Sequence, residues 1–192
     1  VSVVTTLKSE LGVVYNGWLA TGDNYIKTFV ESKGSDVSSS LSLLVNQFNY
    51  DYELIKNAKI GIPMGKQTLG NPLPEQTEAY YGKVSSELAQ KAINGIYDLY
   101  LGVSESGEDK NGLDDYLINN KSNMLSGEIK AQFESAITAV ENVPDPMSET
   151  IVNNQSIVDV AYEEIKKLVI LIKTDMSSEM EVSITYSDGD GD

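Results

Sequence analysis

Residues Glu75–Gly102, EQTEAYYGKVSSELAQKAINGIYDLYLG, constrain the fold more than any other stretch of the chain. A proline precedes them and a glycine closes them, and the spacing between predicts about seven turns of continuous helix at 3.6 residues per turn. Val84, Leu88, Ala92, Ile96 and Leu99 recur four and three apart, which puts them on one stripe that other helices must cover. The rest of the chain has to supply that cover.

It offers several further amphipathic stretches. Val4, Leu7, Leu11, Val14 and Trp18 make one bundle-type face, and Val37, Leu41, Leu44, Phe48, Tyr52 and Ile55 a second that stops near Lys59, before Gly61, Pro63 and Gly65. Leu125, Ile129, Phe133, Ala136 and Val140 form another, halted by Pro144 and Pro146. The last helix is the most regular, with Ile157, Val160, Ala161, Ile165, Leu168, Val169 and Ile172 on one side. Leu113, Tyr116 and Leu117 predict a short accessory helix, and Val182, Ile184 and Tyr186 alternate with polar residues as in a short strand or extended tail. The expected fold is all-α: an antiparallel up-and-down four-helix bundle with an accessory helix and an extended C-terminal tail, in one domain over residues 1–192. Leu88 and Leu168 are expected deep in its core. The connector from Ile60 to Pro74 is long for a bundle turn and reads either as a binding loop or as a linker pinned by Ile62, Met64 and Leu69.

Composition removes many functions. The chain has no Cys, no His and no Arg. It therefore lacks a thiolate nucleophile, an imidazole base, the usual zinc ligands and any bidentate fork for carboxylate or phosphate. With 14 Lys against 29 Asp and Glu it carries a formal charge of −15, which disfavours nucleic acid and anionic membrane surfaces and suits a basic protein partner. No segment has the roughly 18 apolar residues of a membrane span, and no charged leader with an apolar core is present. Because Val1 already lies inside a helical pattern, the chain reads as a mature fragment or a domain cut from a longer protein.

Few residues point to chemistry. Asp188, Asp190 and Asp192 alternate with glycine as in a calcium loop, but the signal is weak and a solvated acidic tail is the favoured reading. Glu75, Glu78, Ser85 and Ser86 gather at the start of the Glu75–Gly102 helix; they read either as groups favoured by the helix dipole or as hydrogen-bonding groups facing a cleft. Glu75 and Glu78 are also conceivable as a carboxylate pair for sugar hydrolysis. The pairs Tyr80 with Tyr81 and Tyr97 with Tyr100 read as core or rim.

The order Glu78, Ser85, Ser86, then Asn94, Gly95, Ile96, Tyr100, Leu101 and Gly102, resembles the second half of imelysin-like proteins. The acidic loop ending in Gly112-Leu113, the segment ENVPDPM, the helix with LIKTDM and the glycine-aspartate terminus extend the resemblance over nearly the whole chain. It implies an exported or lipid-anchored bacterial protein of the periplasm or outer membrane, with two helical lobes. The family is classed with metallopeptidases, and some members are tied to iron or haem uptake. Its G-x-H-x-x-E signature belongs to the first lobe and is absent here, since there is no His. The resemblance therefore implies a C-terminal lobe whose partner is an N-terminal lobe of the same protein. Glu75, Glu78, Ser85, Ser86 and Asn94 become candidate ligand-binding residues, iron or another divalent metal the candidate cofactor of the full-length protein, and no activity is expected from this chain alone. Two other readings stand beside it: half of a metallopeptidase active site, and a free-standing acidic helical interaction module.

Overall fold

The computed structural model describes residues 2–186. The protein is all-helical: among the described residues no strand forms, and Val103 and Asp109 make only an isolated antiparallel bridge. The chain divides into two compact units, one running to Leu44 and the other beginning at Val45.

In the N-terminal unit, α1 (Ser2–Trp18) leads through a turn into α2 (Tyr25–Glu31). Trp18 closes the turn, meeting Tyr25 edge-on at 5.0 Å and Phe29 at 5.3 Å between ring centroids. The apolar face expected along α1 is present, yet the helix buries none of its residues. Among the described residues of this unit the only other complete helix is α2, and its 7 residues are too few to cover the 17 of α1.

α3 (Ser40–Leu54) begins in the first unit and continues in the second, where it runs on into a wider π-helical turn, Ile55–Gly61. Then follow α4 (Ser85–Leu101), α5 (Leu113–Asn119), α6 (Asn123–Glu141), α7 (Met147–Asn153) and α8 (Gln155–Ile170). A second π-helical turn, Leu171–Met176, and a final turn at Ser177–Glu179 extend α8. α6 packs along α8 on one side and α4 on the other. From α6 the fully buried side chains are Ile129, Phe133, Ala136 and Val140, and from α8 Val158, Ala161, Ile165 and Leu168, each series stepping three or four residues. Phe133 is the hub. Tyr97 stacks on it at 4.8 Å, while Tyr100, Tyr52 and Phe48 approach at 5.6, 5.8 and 6.4 Å.

Several expectations change. The helix predicted over Glu75–Gly102 begins only at Ser85; before it, Pro74–Gln76 is a single 3-10 turn, and Ala79 and Lys83 take φ of +51° and +58°, which no helix interior accommodates. The stripe is also rotated. α4 buries Ser86, Ala89, Ile93 and Tyr100, whereas Val84 and Leu99 are exposed and Leu88, Ala92 and Ile96 are half-buried. Apolar residues lie on both sides of α4, so periodicity permits either face, and the tyrosine rings that stack on Phe133 decide between them. Leu88 is thus at the margin of the core, while Leu168 is fully buried as expected. The last helix is preceded by a separate α7, broken from it at Asn154.

The long connector is pinned, though not at all the expected places. Met64 is buried, Ile62 is half-buried and Leu69 is fully exposed. Lys66 fastens the loop to α8 through Asp159 at 2.6 Å and the face of Tyr162 at 4.6 Å. At the other end of the chain, residues 182–186 are extended without being a strand. The Val182 N–H donates to the Ser177 carbonyl at 2.9 Å, and beyond it the backbone is held by a side chain: the Asn46 amide donates to the Ser183 carbonyl at 3.0 Å and its oxygen accepts from the Thr185 N–H at 2.7 Å. Asp188, Asp190 and Asp192 lie outside the described residues.

Candidate functional site

The start of α4 gathers the side chains that the sequence singles out, so the site is built from there. Residues 77–84 fold into a compact turn in which the Gly82 and Lys83 N–H groups donate to the Ala79 carbonyl. The Ser85 hydroxyl donates to the Glu78 carbonyl, and the Glu78 carboxylate pairs with Lys59 at the end of the π-helical turn. Ser86 points inward, its hydroxyl donating to the Val143 carbonyl at 2.6 Å. Both serines are buried. The structure therefore brings Glu78, Ser85 and Ser86 together. Glu75 is exposed on the preceding turn, and Asn94 lies exposed two turns into α4, bonded to the Gln90 carbonyl at 2.9 Å.

The residue that completes this cluster is Asp145, which the sequence reading passed over. α4 has no side-chain cap of its own, since its N-cap residue is Val84. Asp145 supplies the cap from 59 residues further along the chain: Oδ1 accepts from the Ser86 N–H at 2.8 Å and Oδ2 from the Glu87 N–H at 3.0 Å. Oδ1 also accepts from the Met147 N–H at 3.2 Å. The positive end of the α4 dipole is thereby occupied by the protein's own carboxylate. The available signal was the acidic residue between the two prolines of ENVPDPM, with no conventional cap before Ser85. Around it, Thr150 donates to the Pro144 carbonyl at 2.9 Å and Lys83 reaches Glu149 at 3.4 Å, tying α7 to the same corner.

At the far end of α4, Tyr100 and Gly102 serve the fold. Tyr100 is buried with its hydroxyl 3.4 Å from Ser126 Oγ. Gly102 ends the helix at φ +72°, where a Cβ would lie 2.4 Å from the Lys110 carbonyl oxygen, so the acidic loop can fold back closely only over glycine. Burial first, and the charge of Glu134 second, push the Tyr97 hydroxyl above its ordinary range, and burial does the same to Tyr100. On the opposite side of α6, hydrogen bonds from Lys167 and Gln132 hold Glu164 below the usual carboxylate range. Tyr80 and Tyr81 pack edge to face at 5.2 Å, with Tyr81 almost wholly exposed.

Chemically the corner is a set of satisfied hydrogen bonds with two surface carboxylates beside it. Among the described residues no group of three or more His, Cys, Asp or Glu side chains is placed to hold a metal ion. No described helix is long and apolar enough to cross a membrane.

The chain is similar to the crystal structure of an imelysin peptidase from Bacteroides ovatus, with a TM-score of 0.73 and 24% identity. That likeness covers 90% of this chain and 50% of the other, so the chain spans about half the length of the solved protein it matches. No curated protein matches it. The family model described as imelysin matches residues 1–173, nine-tenths of the sequence, and on that match the chain belongs to the imelysin family.

Proposed function

We propose that this chain is the C-terminal lobe of a two-lobe imelysin protein of the bacterial cell envelope, periplasmic or anchored by lipid at the outer membrane. In that role it contributes one wall of an iron- or haem-related binding cleft that an N-terminal lobe completes. The observation that carries the reading is the mismatch of lengths, 90% of this chain against 50% of the solved imelysin peptidase. The exposed side of α4 supports it, because Val84 and Leu99 are exposed, and Leu88, Ala92 and Ile96 half-buried, along one line. The reading includes an up-and-down arrangement of α3, α4, α6 and α8 as the lobe's frame. Its wall is the turn bearing Glu75 and Glu78, with Ser85 and Ser86 holding that turn against the helix. Metal and peptidase chemistry come from groups in the other lobe, since this one has neither His nor Cys.

The test is the reading frame upstream of Val1. It is expected to encode a second helical lobe containing G-x-H-x-x-E. A frame that supplies no such lobe overturns the proposal in favour of an acidic helical module acting alone, for which the charge of −15 is the supporting observation.

A further inference from the structure

The C-terminal end of α8 and the extended segment that follows it enclose an open-sided groove of about 650 Å³, within the range of small-molecule sites. Its shape comes from two features already described. The π-helical turn Leu171–Met176 widens the helix, and Asn46 clamps residues 183 and 185 so that Val182 and Ile184 stand as a facing wall. Val169 forms a buried apolar floor, and Ile170, 58% exposed, forms the rim. An isoleucine that far in water beside a ready cavity is apolar surface left for something to cover.

The polar lining has one sign. Lys166 and Lys173 and the hydroxyls of Thr174, Ser177 and Ser178 border the groove, and among the described residues no carboxylate does, in a chain with 29 acidic residues against 14 lysines. The two lysines differ in use. Lys173 is held by Glu53 at 2.9 Å and belongs to the wall, and Ser177 donates to the Ile172 carbonyl at 3.0 Å. Lys166 is exposed and makes no ion pair among the described residues.

We propose that this groove binds a monomeric single-chain anionic amphiphile, an alkyl carboxylate of fatty-acid type, with its chain along Val169, Ile170, Val182 and Ile184 and its carboxylate at the Lys166 ammonium. The charge complementarity selects an anion, and the apolar floor selects an alkyl chain behind it. A carboxylate suits a single ammonium point charge, whereas a dianionic phosphate head is better served by the forked arginine this chain lacks. Nothing from a second lobe is needed.

The experiment is calorimetric titration of the chain with decanoate, and in parallel with decyltrimethylammonium, both below their micelle concentrations. Decanoate is expected to bind saturably at one site, and the cation of equal chain length at least about tenfold more weakly. Lys166→Gln is expected to weaken decanoate about tenfold, the loss of one charge-assisted contact, and to leave the cation unchanged. Ile170→Asp, at an exposed rim position, is expected to abolish binding while circular dichroism shows the helices intact. Absence of a saturable decanoate signal, equal affinity for the two detergents, or a folded Lys166→Gln protein with undiminished decanoate affinity overturns the proposal. So does association with phosphatidylglycerol vesicles in the absence of monomer binding.

Discussion

Tyr52 is fully buried against Phe133, and among the described residues its hydroxyl has no hydrogen-bond partner. Removing an unsatisfied buried hydroxyl while keeping the ring relieves a desolvation cost of about 1 to 3 kcal/mol. Tyr52→Phe is therefore expected to leave the thermal midpoint unchanged or to raise it, as measured by calorimetry at neutral pH. Burial pushes Tyr52 and Tyr100 above the ordinary tyrosine value. The neutral phenols are thus favoured in the fold. Their contribution is complete below about pH 10, where unfolded tyrosine titrates, and is lost as pH rises through the folded values. Stability should decline above about pH 10, and the decline should be shallower in the Tyr52→Phe, Tyr100→Phe double variant; equal slopes would show that other groups govern alkaline unfolding.

At the scale of the helix, two leucines separate what the sequence pattern determines from what packing adds. Leu168→Ala is expected to cost about 2 to 5 kcal/mol, because the side chain is fully buried. Leu88→Ala, at a half-buried position, should cost about 1 kcal/mol; chemical denaturation of the two variants checks the ranking. The periodicity of α6 made its inward face legible, and that of α8 only from Ala161 onward: Ala161, Ile165, Leu168 and Val169 are buried as expected, whereas Val160 is exposed, Ile157 is half-buried and Val158, on the neighbouring line, is buried in their place. On α4 it did not: Ala89, Ile93 and Tyr100 compete with Leu88, Ala92 and Leu99, and only the aromatic cluster on Phe133 resolves the choice. The early start predicted for that helix failed for a local reason, the positive φ of Ala79 and Lys83, two residue types that carry no sequence warning of it. Near the candidate site, Ser85, Ser86 and Glu78 were legible as a group because they are near in sequence. Asp145 was not, since its role depends on a contact between residues 59 apart.

For the whole molecule, that contact binds the larger unit together. Ser86 and Glu87 donate to a carboxylate that arrives only when α6 has formed, the segment Val143–Met147 has turned and α7 has docked. Asp145→Ala leaves those donors without a protein acceptor and is expected to lower stability by about 2 kcal/mol, with Asp145→Asn intermediate, as read from denaturant midpoints. The first turn of a helix ordinarily frays and exchanges its amide hydrogens early. Here the Ser86 and Glu87 amides should exchange only as slowly as the central amides of α6, so that deuterium uptake at an end of one helix reports the opening of the entire unit.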